Sequence, residues 1–112
     1  MALTSSLIAN TNTTVYTSTV SGSQTGNAIT CMMICNYTSG TAATVTIYAV
    51  PNSGGSVGTP GSVNTIVYQL PVPAGETVSL DQEKLVLSAN DTIVAVASVN
   101  SALTMTLSTM QV

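Results

Sequence analysis

The amino-acid sequence predicts an all-β protein, a single antiparallel β-sandwich of about eight strands that is jelly-roll-like or immunoglobulin-like. Three observations predict this fold class. Apolar and polar residues alternate with a period of two, turn residues recur roughly every 8 to 12 residues, and no long stretch has the three-and-four apolar spacing of an amphipathic helix. The 112 residues suffice for one core, so we expect one domain over residues 1–112.

Strict alternation identifies three of the strands. Leu103, Met105 and Leu107 alternate with threonine and serine, which is typical of a strand with one buried face and one face in water. Residues 44–49 and 92–99 follow the same pattern. The other candidate strands, which have weaker patterns or a continuous apolar run, are residues 13–20, 27–38, 64–72, 76–80 and 84–87.

Turn residues between these strands favour antiparallel pairing. Residues 38–41 and 100–101 each separate two apolar runs, and they contain Gly or Asn, which tolerate the positive φ of a tight hairpin. Residues 73–76 read Pro-Ala-Gly-Glu, in which proline fixes one φ and glycine supplies a left-handed conformation. The Asn-Asp pair at residues 90–91 is a further turn signal. Such short connections exclude a parallel α/β sheet.

Two segments stand outside the strand pattern, an N-terminal arm at residues 1–12 and a loop at residues 51–63. Both are rich in small polar residues, so we expect them to be flexible and to gain structure against a neighbouring subunit. Alternatively, the arm adds an edge strand to its own sandwich and the loop is a tolerated insertion. The predicted subunit-contact residues are Leu3, Leu7, Ile8, Gly54, Gly55 and Pro60.

The two cysteines are predicted to be reduced core residues. Cys31 and Cys35 lie four residues apart in a predicted strand, so their Cα atoms are about 13 Å apart, whereas a disulfide requires under about 7 Å. Both side chains share a face with Met33, and we expect that face to be the core. A two-thiolate metal site is the alternative, but the chain has no histidine to complete it.

The scarcity of charge excludes several functions. Charged residues make up only 4% of the chain, where about a quarter is usual, and the net charge is −3. The absence of histidine excludes imidazole catalysis. The only basic side chain, Lys84, cannot neutralise enough phosphates to hold DNA or RNA. We therefore expect neither an enzyme nor a nucleic-acid-binding protein, and no cofactor.

All four acidic residues fall within residues 76–91, at Glu76, Asp81, Glu83 and Asp91. Their order lacks the regular Asp spacing and the glycine of a hand-type calcium loop. A paired-carboxylate glycosidase would need a sugar platform, and the chain has no Trp and no Phe. We interpret these residues as charges that keep one rim of the protein in water. The alternative that they bind a cation incidentally stays open.

Membrane and export signals are not found in this sequence. No run of about 18 apolar residues predicts a transmembrane helix. The first ten residues carry no basic residue before their short apolar stretch, which is unlike a secretory signal. We expect a soluble protein that is made in the cytosol.

From Ile34 onward, about 80 of the 112 residues resemble small virion structural proteins of tailed bacteriophages, cyanophages among them. The resemblance lies in the segments ICNYTSGTAATVTIYAVP, NTIVYQLPVPAGETVSLDQEKLVLSANDTIVAVASV and NSALTMTLSTMQV. Their shared elements are an Asn-bearing strand before a Ser/Gly hairpin, a Pro-Ala-Gly-Glu turn, an Asn-Asp turn and a final strand pair. The chain departs from the more basic members in carrying Val94 and Val96 where an arginine is often found.

The resemblance implies a capsid decoration or cement subunit that stabilises the phage head. A tail, neck, collar or fibre component is the alternative. The implied partners are the major capsid protein or other virion proteins and further copies of the chain, with a homotrimer favoured, and no nucleic acid or membrane. The implied location is the virion, assembled in the host cytoplasm. A carbohydrate-binding module is a further alternative, but it would need aromatic platforms that the sequence does not show.

Overall fold

The computed structural model describes residues 2–80 and 84–112, which form two antiparallel sheets packed face to face. The alternating segments become strands because one side of each can be buried while the other stays in water. A short 3-10 helix spans Ser62–Asn64. The strands are β1 (Ala2–Ile8), β2 (Thr13–Thr17), β3 (Asn27–Asn36), β4 (Ala43–Val50), β5 (Thr65–Val72), β6 (Thr77–Leu80), β7 (Leu85–Leu87), β8 (Thr92–Ala97) and β9 (Leu103–Gln111).

The strand order is that of a jelly roll. The two halves of the chain pair in nested order, β4 with β5, β3 with β6 and β7, β2 with β8, and β1 with β9. The chain thus forms one long hairpin, which rolls up so that β3 also pairs with β9 and β4 also pairs with β8. Sheet A therefore has the order β1-β9-β3-β6, with β7 also on β3, and sheet B has the order β2-β8-β4-β5.

This order decides between the two sandwich types that the sequence left open. An immunoglobulin-like sandwich places its first and second strands side by side in one sheet. Here β1 belongs to sheet A and β2 to sheet B, and each sheet mixes strands from both halves of the chain. The prediction of an antiparallel β-sandwich is confirmed, and the ninth strand, beyond the eight predicted, is the N-terminal β1.

Alternate residues of the central strands form the core between the sheets. In β9 the apolar residues point inward and the hydroxyl residues point outward, as predicted. Strand β8 differs because both of its sides are covered, so that Thr92 (1% exposed) and Val94 (3% exposed) are buried as well. Burying each large aliphatic side chain stabilises the fold by roughly 1.5–3 kcal/mol. The largest apolar core side chains with at most 2% of their surface exposed are Ile8, Ile29, Ile34, Val45, Ile47, Val50, Val72, Ile93, Leu103, Met105 and Leu107.

The N-terminal segment adds an edge strand to its own sandwich, which is the alternative to an extended arm that the sequence left open. Residues Ala2–Ile8 pair with β9 in unbroken register, from Ala2 opposite Thr109 to Ile8 opposite Leu103. We predicted Ile8 as a subunit contact, but its side chain is fully buried in the core of its own sandwich. Its side chain anchors this end of β1. Met1 lies outside the described residues.

The prediction that the cysteines face the core is wrong. In β3 it is Met32 and Ile34 that point inward, whereas Cys31, Met33 and Cys35 point away from the core. Both cysteines are half-buried free thiols. The sequence misled us because both faces of this strand are apolar, so a period of two identifies two faces without showing which one is buried.

Buried asparagines stand at both ends of β3. At the end of the strand, Asn36 Nδ2 donates hydrogen bonds to the carbonyl oxygens of Thr41 (2.8 Å) and Val72 (2.9 Å). At its start, Asn27 Nδ2 donates to Ser18 Oγ (2.9 Å) and to the Thr19 carbonyl (2.8 Å). Each side chain donates to backbone carbonyls that have no partner in a sheet and would otherwise bind water. These bonds hold the neighbouring turn or loop against the end of β3.

In the described part of the chain, no helix is long and apolar enough to cross a membrane.

Candidate docking face

On the outer side of sheet A, the outward-pointing side chains of the described strand residues named below carry no charge, and we call the surface that they form the neutral face. It consists of the outward-pointing residues of four neighbouring strands, and every second residue of each strand contributes. Its polar members are hydroxyl residues, and its other members are aliphatic or sulfur-containing. The neutral face comprises Leu3, Ser5 and Leu7 of β1, Thr104, Thr106, Ser108 and Met110 of β9, Cys31, Met33 and Cys35 of β3, and Thr77 and Ser79 of β6.

Sheet register aligns these side chains in rows across the strands. Ser5 lies opposite Thr106, Thr106 opposite Met33, and Met33 opposite Ser79. Neighbouring strands lie about 4.8 Å apart and alternate residues about 6.8 Å apart along a strand, so the side chains form a regular grid. A grid built on paired backbones presents a fixed surface to a partner, which lowers the entropy lost on binding.

Apolar side chains on this grid are exposed to solvent. Leu3 exposes 74% of its surface, Leu7 49% and Met33 43%, which is more than a core-facing residue would retain. Single exposed apolar residues are ordinary, but a contiguous apolar and hydroxyl surface on one sheet is typical of a protein contact. The neutral face is therefore a candidate contact surface.

Hydroxyl groups on the neutral face retain hydrogen-bonding capacity. The Ser5 and Thr106 hydroxyls are 3.5 Å apart, and the Cys31 thiol is 3.8 Å from the Ser79 hydroxyl, so both contacts are long. Each hydroxyl can donate one bond and accept two. These groups can bind a partner's backbone amides and carbonyls without any buried charge.

None of the charged residues that the structure describes is among the residues of this grid. Glu76 belongs to the turn before β6, exposed Lys84 precedes β7, and Asp91 lies in the turn before β8. A partner that covers the neutral face would not have to strip water from an ion, which costs several kcal/mol when the ion stays unpaired. Recognition there would depend on shape and neutral hydrogen bonds, which salt screens little.

The acidic residues do not form a site among the described residues. The carboxylate of Asp91 accepts hydrogen bonds from the Asn52 backbone (2.7 Å) and side chain (3.0 Å) and from the Ser88 backbone (2.8 Å). It is therefore engaged in holding loops. Asp81 and Glu83 lie outside the described residues. Within residues 2–80 and 84–112, no group of three or more His, Cys, Asp or Glu side chains could hold a metal ion.

The loop at residues 51–63 makes hydrogen bonds within itself and to the turn between β7 and β8. Ser53 and Ser56 form a bridge around Gly54 and Gly55, which adopt φ of 60° and 86° that favour glycine. The Gly55 carbonyl accepts a hydrogen bond from Asn90 Nδ2 at 2.7 Å. The loop is thus attached to the turn between β7 and β8.

The predicted contact residues are divided between different parts of the fold. Leu3 and Leu7 lie on the neutral face. Gly54, Gly55 and Pro60 lie in the connection from β4 to β5, both of which belong to sheet B. The structure therefore brings only the two leucines into the candidate docking surface.

Sequence reasoning missed most of the neutral face. The hydroxyl residues of β9, Thr104, Thr106 and Ser108, were recognised as the wet side of a strand but not as part of a site. No local signal could have found them, because the wet sides of the other strictly alternating strands are equally free of charge in a chain with only 4% charged residues.

No protein-family model, curated protein or solved structure matches this chain.

Proposed function

We propose that this protein is a virion structural subunit, a decoration or cement protein that stabilises a phage head by docking its neutral face on the major capsid protein. The observation that carries the proposal is the uncharged outer side of sheet A, with exposed Leu3, Leu7 and Met33 among hydroxyl residues. A rigid, neutral surface suits a subunit that is placed many times on one particle, where each contact can be weak.

The size of the neutral face agrees with such a role. Four strands span roughly 19 Å and the nine residues of β9 extend about 30 Å, which gives a flat area of roughly 550 Å². A typical stable interface buries about 800 Å² on each partner. One copy would therefore bind weakly, and a capsid lattice that presents many equivalent sites would supply the remaining affinity through additional contacts between neighbours.

Fold and sequence give this proposal further support. The jelly-roll order is an architecture that viral capsid proteins use repeatedly, although lectins and cupins use it too, so the fold alone assigns no function. The segments from Ile34 to the last strand resemble phage virion proteins. Imidazole chemistry is excluded by the absence of histidine. The proposal therefore contains no catalytic step and no cofactor.

Quantitative mass spectrometry of purified virions tests the proposed location. We expect the protein in the particle at hundreds of copies, as one or more per capsid position. A count of tens or fewer would instead assign it to the tail, neck, collar or fibre, the alternative from the sequence. Its absence from purified virions would overturn the proposal.

A charge in the middle of the neutral face tests the docking surface. Thr106 lies in the central row between Ser5 and Met33, and its side chain is half-buried at the face. Thr106→Lys would place an ammonium group in a neutral contact, so we expect binding to particles that lack the protein to weaken at least about tenfold. Val63→Lys is the control because Val63 is 93% exposed in the 3-10 helix, outside this face. Equal binding by both variants would contradict docking through the neutral face.

A further inference from the structure

The strands at the sheet edges differ in how far they are protected against pairing with another chain. An edge strand leaves a row of backbone donors and acceptors open, and proteins usually protect it with proline, charge, a bulge or short length. In β5, Pro71 lacks a donor and the register shifts beside Gln69, which has a φ of 49°. The register of β2 shifts between Thr14 and Tyr16. The edge elements β6 and β7 span only four and three residues.

Strand β1 has none of these protective features. Its sequence, ALTSSLI, contains no proline, glycine or charged residue. All seven residues pair with β9 without a register shift, so the strand is regular throughout. Its other edge has no strand paired to it among the described residues. Of the sheet edges that the structure describes, this one is therefore the best template for a further strand.

We propose that β1 pairs antiparallel with β1 of a second copy of this chain, across a twofold axis at Ser5. The pairing would join the two A sheets into one continuous sheet. Leu3 and Leu7 belong to both proposals, but the pairing is measured on the purified chain and the docking on particles, so the two proposals can fail independently.

The sequence of β1 is complementary to itself in this register. Full overlap of Ala2–Ile8 with a second copy places Ser5 opposite Ser5, and Leu3 opposite Leu7 of the second copy. On the outer side, each dimer thus gains two Leu–Leu pairs between side chains that are 74% and 49% exposed in one copy. Directly opposite residues of antiparallel strands lie about 5 Å apart, close enough for these leucines to bury one another.

A register shift of one residue would remove this match. It would bring outward leucines opposite inward residues such as Thr4 or Ser6, because side chains alternate between the two sides of a strand. The full-overlap register is therefore favoured both by the number of backbone hydrogen bonds and by the leucine pairs.

The geometry favours a pair of chains over the homotrimer that the sequence led us to expect. Antiparallel pairing of one edge with itself is an isologous contact, which is complete with two copies. The contact is only about 24 Å long and one strand wide, well below the area of a stable interface, so we expect a weak dimer in solution. It would gain importance where a particle holds copies at high local concentration.

Analytical ultracentrifugation of the purified chain, up to about 1 mM, tests the association. We expect a monomer–dimer equilibrium, and Leu3→Lys should raise its dissociation constant at least about tenfold because a charge on the edge opposes pairing. Tyr68→Lys is the matched control, since Tyr68 is 73% exposed on the edge strand β5. Thr106→Lys, one strand away from the edge, should also leave the dimer intact.

Disulfide trapping tests the register directly and does not depend on affinity. In a Cys31→Ser, Cys35→Ser background, Ser5→Cys places two thiols opposite each other at the axis, and mild oxidation should cross-link the dimer. Ser6→Cys is the control because in this register it faces Thr4 and not itself. Strictly monomeric protein at 1 mM, a trimer, equal cross-linking of both variants, or none with Ser5→Cys would each overturn the proposal.

Discussion

Asn52 and Asp91 join the long loop after β4 to the turn before β8. The backbone nitrogen of Asn52 lies 2.7 Å from Asp91 Oδ1, and its side-chain Nδ2 lies 3.0 Å from the same oxygen. The other Asp91 oxygen accepts the backbone N–H of Ser88 at 2.8 Å. One carboxylate thus accepts hydrogen bonds from three donors that would otherwise need water, and it links the glycine-rich loop to the turn before β8.

We predict that Asp91→Ala lowers the free energy of unfolding by about 2 kcal/mol, because hydrogen bonds to a charged acceptor are lost at a partly buried site. Urea denaturation measures the change. Limited proteolysis should also cut within residues 51–63 faster in the variant. Glu76→Ala, which removes an exposed carboxylate, is the control and should change stability by less than about 0.5 kcal/mol. Similar values for the two variants would contradict the role of Asp91.

We predict that Asn36 is among the polar residues whose substitution lowers the stability of the protein most. Its side chain is fully buried, donates to two carbonyls and accepts from the backbone and hydroxyl of Thr38. Asn36→Ala leaves these buried groups unpaired, so we expect a loss of about 3 kcal/mol, measured by thermal and urea unfolding. Asn12→Ala, at an exposed asparagine, should be within about 0.5 kcal/mol of the parent protein. A small effect at Asn36 would show that water replaces its side chain.

Gly26 is predicted to tolerate no side chain. A Cβ atom there would lie 2.6 Å from the carbonyl oxygen of Leu87, a backbone atom that cannot move without disturbing β7. We expect Gly26→Ala to destabilise the protein by about 1–3 kcal/mol in urea denaturation. Gly40→Ala is the matched control, because a Cβ at Gly40 meets nothing within 4 Å. An unchanged midpoint for Gly26→Ala would mean that the approach of residues 25–27 to β7 is looser than described.

The thiols should react with reagents while the protein is folded. Cys31 and Cys35 are half-buried on the neutral face, outside the core, so we expect a small thiol reagent to label both in native buffer. Labelling is followed by intact mass in native buffer and in denaturant. In assembled particles, docking through the neutral face should slow it. Labelling that occurs only after denaturation would contradict the outward orientation of these cysteines.

The alternation of apolar and polar residues was sufficient to predict which side of a strand is buried only where one side is apolar and the other polar. In β9, Leu103 and Thr104 already show which side is buried, and the structure agrees. In β3, Met32 and Met33 are equally apolar, and only pairing with β9 on one side and β6 on the other decides which is covered. The neutral face could not be predicted either, because its four strands come from distant parts of the chain and their order depends on long-range pairing.

The nested pairing order has a consequence for how the protein folds. Ser5 and Thr106 are neighbours in sheet A but 101 residues apart in sequence. Contacts of such high sequence separation form slowly, on millisecond to second timescales for small β proteins. During synthesis at roughly 5–20 residues per second, β1 must wait about 5–20 s for β9 to be made. Throughout that interval both edges of β1 are open, so aggregation of nascent chains would begin at this strand.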